Sequence, residues 1–355
     1  MDVLPGGAGV SLPELAVLDH FPDHLLEVEA ADLWQHLAGP TLFKVAGRQP
    51  QPLFVTVLLH GNEITGWQAM QEVMRSYQGK VLPRSLLLFV GNVEAAKATM
   101  RTLACQLDYN RAWPGTRFPT APEALLMQQV VDEVKAASPF ASIDVHNNTG
   151  HNPLYGCVNK LADEDLHLAR LFSRTIVYFE RPVGVQSIAL SQICPAVTIE
   201  CGQVGTVGVI DKAASFIKSA LQLTSFPEHP LPDQDIELIK TSAIVKVPVE
   251  AQFSFDGSEA DFCFRADLEQ LNFSPLAPGT VWGRLSDGCE HRLDVSVDED
   301  SDGDKVYFDY HNGEIRLRHE VIPAMITHNQ DAVRSDCLCY LMRPIDRHGR
   351  ELDRD

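Results

Sequence analysis

The chain has 355 residues, 45% apolar and 22% charged, and a formal net charge of -19. That length supports a large core and roughly two domains, and a mean hydropathy of -0.08 with ordinary charge content excludes a disordered chain. The acidic balance argues against nucleic acid, which needs clustered cations against phosphate, and against anionic membrane surfaces; it leaves room for an anionic small substrate held by a few focused arginines.

The first stretch, MDVLPGGAGVSLPELAVL, has no basic segment and no sustained apolar run, so it does not read as a signal peptide. No run approaches the ~18 apolar residues of a membrane span, and the expected location is the cytoplasm. The eight cysteines stand singly, none in C-x-x-C. Their apolar contexts suit small buried hydrophobes in a reduced protein.

From about residue 40 to 225, strand-like and helix-like stretches alternate. LFVTVLL (53–59), SLLLFVG (85–91), ASIDV (141–145) and AVTIE (196–200) are rich in Val, Ile and Leu, as strands buried on both faces should be. Between them EITGWQAMQEVMRSYQ, EALLMQQVVDEVKAAS and DEDLHLARLFSRTIVYF carry helical apolar spacing, and KAASFIKSALQLTSF follows the last strand. The alternation predicts an α/β fold with a mixed, mostly parallel sheet covered by helices on both faces. EHPLPDQD then marks a boundary, and AIVKVPVEAQFSF, ADFCFRADL, TVWGRLS, HRLDVSV, KVYFDYH and EIRLRHEVI read as short strands with no helix among them. The expected domains are residues 1–231, α/β, and 232–355, all β.

Chemistry collects at the strand ends. His60 follows the first strand in HGNE (60–63), His146 follows the third in SIDVHNNTG, and Glu200 closes the fourth in TIECG. Asn110 and Arg111 lie in LDYNRAW, between the second and third. Ligand sites of open α/β sheets form outside the carboxyl ends of the strands, so residues far apart in sequence are delivered to one sheet edge. Two imidazoles and a carboxylate with an open position for water make a catalytic zinc set. Glu200 suits a general acid/base, and an Asn–Arg pair suits a substrate carboxylate. The spacing H-x-x-E alone decides nothing, because it recurs at His24, His311 and His348.

HGNE (60–63), DYNR (108–111), DVHNNTG (144–150) and IECG (199–202), in that order, resemble the succinylglutamate desuccinylase/aspartoacylase branch of the zinc carboxypeptidase superfamily. The resemblance covers roughly residues 53–210, and a following β domain fits it. It implies one zinc ion per chain held by His60, Glu63 and His146, Glu200 as general acid/base, and Asn110 and Arg111 on the substrate carboxylate. The chain departs from the family in three places. Tyr109 replaces a usual Leu. The oxyanion arginine's position is Leu103, so Arg101 is carried over as its nearest substitute. Leu190 stands where acylases carry an arginine for the acyl carboxylate, and Arg181 is too distant along the chain to equate with it.

The expected activity is zinc-dependent hydrolysis of an amide in a small carboxylate-bearing substrate of the N-acyl amino acid type. The alternatives are a metallocarboxypeptidase acting on short or cell-wall-type peptides, and a metal-binding protein with a lapsed site. No nucleic acid or membrane partner is expected, and monomer and homo-oligomer both stay open. Asp144 either bonds a ligand histidine or anchors a loop. His151 shapes the rim. HNGE at 311–314 reads as a hairpin turn. DEDSDGDKVYFD (298–309) imitates a calcium loop but lacks the closing Glu and the flanking helices, so it reads as an acidic hairpin loop.

Overall fold

The computed structural model describes residues 14–297 and 303–352. They form two compact units, residues 14–147 with Tyr155–Ile236, and Asn148–Leu154 with residues 237–352. No helix among the described residues is long and apolar enough to cross a membrane. All eight cysteines are free thiols.

The first unit is built on β1 (Ala16–Leu18), β2 (Thr41–Val45), β3 (Gly47–Val57), β4 (Leu82–Val90), β5 (Ala141–His146), β6 (Tyr155–Val158), β7 (Thr175–Tyr178) and β8 (Ala196–Glu200). Its helices are α1 (Thr65–Ser76), α2 (Val93–Lys97), α3 (Pro122–Ala136), α4 (Asp163–Phe172), α5 (Gln186–Ser191) and α6 (Val209–Gln222). The strands run in the order β1-β2-β4-β3-β5-β8-β6-β7. All pairings are parallel except β2–β4 and β6–β8. The sheet is therefore mixed and mostly parallel, as the alternation predicted.

Strand alternation assigns the two faces. Val57 and Val145 meet α1 so closely that a Cβ on Gly66 would come within 3.0 Å of each. On the other face, Phe54 and Phe89 pack with Trp113, with Met127 and Val130 of α3 and with Leu190 of α5. Burying one such side chain stabilises by roughly 1.5–3 kcal/mol. Thr56, Asp144 and His146 share the Phe54 parity, so polar groups leave this second face at the carboxyl ends of β3 and β5.

Two local readings need correction. DEDLHLARLFSRTIVYF is not one helix: α4 stops at Phe172, Ser173 is extended (φ -148, ψ 157), and Thr175–Tyr178 is β7. A β-branched run there prefers a pleated surface.

The second unit contains β9 (Glu237–Lys246), β10 (Phe253–Ser254), β11 (Phe262–Phe264), β12 (Val281–Leu285), β13 (Asp294–Ser296), β14 (Phe308–His311), β15 (Glu314–Leu317), β16 (Ile322–Ala324) and β17 (Cys339–Pro344). β9 pairs with β17 and β13, β16 pairs with β17, and the order β10-β11-β12-β15-β14 forms a second sheet. The core gathers Phe262, Phe264, Trp282 and Phe308. The second correction lies here, where two short helices interrupt the expected all-strand pattern. These are α7 (Gly303–Tyr307), which runs from the stretch read as an acidic loop into the one read as strand, and α8 (Gln330–Ser335). The Asn329 side chain caps α8 by accepting from the Ala332 N–H at 3.0 Å. Six residues were too few to give a helical period in the sequence. The acidic stretch 298–309 lies outside the described residues as far as 302.

Candidate metal centre

β3 ends at Val57, and Leu58 takes φ 56, a left-handed conformation uncommon for a side chain of its size. The chain thereby turns off the sheet edge into HGNE. Gly61 is required by contact: a Cβ there would lie 2.1 Å from the backbone of Ala95 and Ala96 in α2. Its N–H donates to the Arg101 carbonyl at 3.1 Å, and the Glu63 N–H closes the turn on the His60 carbonyl at 3.2 Å.

The turn places one side chain between two rings. Glu63 Oε1 lies 2.7 Å from His60 Nδ1, and Glu63 Oε2 lies 2.8 Å from Nδ1 of His146 at the end of β5. All three side chains are buried. Their ligand atoms lie within 4.8 Å of one another, the one such group of three or more among the described residues. The far nitrogens are held as well: His60 Nε2 is 3.1 Å from Asp108 Oδ1, and His146 Nε2 is 2.9 Å from Asp144 Oδ2. Asp144, fully buried, also accepts a short hydrogen bond from the Thr56 hydroxyl. Of its two readings, the contact to the histidine is the one observed.

These contacts test whether a metal ion fits. With a cation between the rings, a carboxylate on each Nε2 would hold the Nε2–H tautomer and leave the Nδ1 lone pair facing inward. Two such lone pairs then face the two oxygens of Glu63, acceptors against acceptors. A cation among them turns that arrangement favourable, and a two-nitrogen, one-oxygen donor set suits zinc. With no cation among them, the alternative is an imidazolium–carboxylate pairing, and the electrostatics are of that kind. Burial alone would raise the Glu63 carboxyl, yet the two imidazoles hold it below its ordinary range. Burial would lower His146, yet Asp144 and Glu63 hold it well above its ordinary value. Asp108 is also held well below the usual carboxylate range, against its burial, by His60, Arg101 and Arg111.

Asp108 is the residue that sequence reasoning missed. In DYNR the Asn and Arg carry the substrate pattern, while the Asp contacts His60. Nothing local could reveal this, since the two residues are 48 apart in the chain. Asp108 also accepts from the Asn110 N–H at 2.7 Å and so caps the tight turn Tyr109–Arg111. Tyr109 is buried in the core that α3 covers, the environment a Leu would occupy.

Arg101 donates to Asp108 Oδ2 at 3.2 Å and to Glu63 Oε1 at 3.5 Å, so it borders the cluster. Asn110 lies there too, its Nδ2 3.3 Å from His146 Nε2 and its Oδ1 accepting from the Gln186 N–H at 3.1 Å. Arg111 donates to the Asn110 carbonyl at 2.9 Å. Glu200, half-buried, ends β8 in direct register with His146. Leu190 is fully buried in α5 and brings no charge to the site. His151 is exposed and outside the cluster.

The family description "Succinylglutamate desuccinylase/Aspartoacylase catalytic domain" matches residues 51–224. No protein of curated function matches the sequence. Among solved structures, the chain is similar to the succinylglutamate desuccinylase from Chromobacterium violaceum (15% identity, 84% of this chain and 86% of that one, TM-score 0.56). It is similar to the corresponding protein from Vibrio parahaemolyticus (13% identity, 88% and 89%, TM-score 0.58). It also resembles murine aminoacylase 3 (16% identity, 84% and 97%, TM-score 0.54). At such identities these likenesses speak for the fold, and the match over 51–224 contains every residue of the cluster. Residues 51–224 of the chain thus match the catalytic domain of the succinylglutamate desuccinylase/aspartoacylase family.

Proposed function

We propose that the chain is a zinc-dependent amidohydrolase that cleaves an N-acyl amino acid or a similar small carboxylate-bearing amide. The observation that carries this reading is the pair of inward Nδ1 atoms facing Glu63, each ring anchored by a carboxylate on its other nitrogen. His60, Glu63 and His146 would hold the ion. When bound, it supplies a Lewis acid for the carbonyl and lowers the pKa of a water molecule.

The remaining steps belong to side chains of residues 1–231, the proposed catalytic domain. Glu200 takes the proton of the attacking water and passes it to the leaving nitrogen. Arg101 stabilises charge on the carbonyl oxygen, which requires one of its N–H groups to turn from Glu63 or Asp108 toward substrate. Asn110 and Arg111 orient the substrate carboxylate through charge-assisted hydrogen bonds. The proposed location is the cytoplasm.

Metal analysis by mass spectrometry, with a hydrolysis panel of N-acyl amino acids and short peptides, tests the reading. Zinc at one equivalent and turnover of N-acyl amino acids are expected. Glu200→Gln should keep zinc and lose about 10²–10⁴-fold in kcat; full activity in that variant would remove Glu200 from the mechanism. Preference for peptides would move the chain to the peptidases. Silence across the panel with zinc bound would leave a binding protein.

A further inference from the structure

We propose that Asn147 is a positioning residue that ties the metal ligand Glu63 to the strand end that carries Glu200. The roles of those two carboxylates rest on the functional reading above; the tie itself rests on three hydrogen bonds. Asn147 is the first residue after β5 and is 4% exposed. Its backbone N–H donates to Glu63 Oε2 at 3.0 Å. Its side-chain Oδ1 accepts from the Thr65 N–H at 3.2 Å, and its Nδ2 donates to the Gly202 carbonyl at 2.9 Å. Thr65 stands two residues after Glu63, and Gly202 two residues after Glu200. One amide thus spans the segments that leave both carboxylates.

The amide has one productive orientation, because an N–H can only donate and a carbonyl only accept. It also fills a gap at the start of α1. Ile64 occupies the N-cap and makes no side-chain cap bond, so an orphan N–H of the first turn needs a partner from elsewhere. Asn147 supplies it from β5. At the other end Gly202 has φ 66, and the Cys201 N–H donates to the His146 carbonyl at 2.9 Å. The β5–β8 ladder therefore continues past Glu200 to the point where Asn147 takes hold. A ligand and a base must keep their separation to within about half an ångström to act on one substrate atom. Tying their exits to one buried side chain meets that demand.

Two variants of the full-length chain separate the arms, read by zinc affinity in chelator competition and by kcat and KM on the best substrate of the panel. Asn147→Ala loses both side-chain bonds. It should weaken zinc binding about tenfold and lower kcat more than it raises KM. Asn147→Asp keeps an acceptor for the Thr65 N–H and loses the donor for Gly202. It should restore zinc affinity to within about threefold of wild type without restoring kcat. Wild-type zinc affinity together with a kcat within twofold in Asn147→Ala would overturn the proposal. If neither variant folds, amide hydrogen exchange on the wild-type chain decides. Protection of the Thr65 N–H comparable to the β5–β8 ladder supports the tie, and exchange at open-loop rates removes it. Undiminished activity of Glu200→Gln would instead sink the role of Glu200 and leave the zinc-affinity arm standing.

Discussion

HGNE at 60–63 and HNGE at 311–314 hold the same residue types at the same H-x-x-E spacing, yet they do opposite things. In HGNE the chain leaves a buried parallel strand through the left-handed Leu58, and both side chains turn to a common centre with His146. In HNGE the two strands stay paired. Asn312 and Gly313 take φ 52 and 75, and His311 and Glu314 face each other across the β14–β15 ladder. That is the turn chemistry of a two-residue hairpin. The Glu314 carboxylate serves Arg316 and Arg284, and Arg316 above all holds its pKa down. What separates the candidate ligand pair from a hairpin is therefore the third partner that the sheet delivers.

The largest expected effect comes from deleting one member of each pair. His60→Ala or Glu63→Ala should abolish stoichiometric zinc and lower kcat/KM by at least about a thousandfold. His311→Ala or Glu314→Gln should leave zinc content unchanged and activity within about twofold. Metal analysis beside turnover on the same preparations checks both. Loss of zinc from the hairpin variants would collapse the comparison.

The glycines of the two turns come next, compared by urea unfolding. At Gly61 a methyl would meet the backbone of Ala95 and Ala96 at 2.1 Å, where no side chain can yield. Gly61→Ala should cost about 3 kcal/mol. At Gly313 the space is open, with the nearest atom, the Leu285 carbonyl oxygen, 3.7 Å away. Only the left-handed backbone resists, so Gly313→Ala should cost about 1 kcal/mol. Equal costs would mean that close packing on α2 does not define the first turn.

The same contrast explains what was legible in the sequence. β3, β4, β5 and β8 stood out because strands covered on both faces read as unbroken Val, Ile and Leu. His60, His146 and Glu200 stood out because they end such strands. The short strands β1, β6 and β7 have too few residues for a period, and β7 continues the helical pattern before it. Asp108 and Asn147 were invisible for a different reason. Each acts on a group from another segment, and only register and turn geometry reveal the partner. Arg101 stands two residues before the family position at Leu103, and its contacts to Glu63 and Asp108 cannot be read from spacing.

The last variants test the carboxylate behind each imidazole of the first centre, Asp108 on His60 and Asp144 on His146. Asp144→Asn and Asp108→Asn keep an oxygen that can accept from Nε2–H and remove the charge that orients the ring and raises the basicity of the inward nitrogen. Outer carboxylates of this kind contribute about 10–100-fold to metal affinity. Asp144 is fully buried and shares its oxygens between Thr56 and His146, so its variant belongs near the upper end. Asp108 is partly exposed and already shared with Arg101 and the Asn110 N–H, so its variant belongs near the lower end. Zinc competition with a chelator reads both. Wild-type affinity in both variants would show that Glu63 alone orients the rings. The reverse order, with Asp108→Asn the weaker binder, would locate the dominant anchor on His60 rather than on His146.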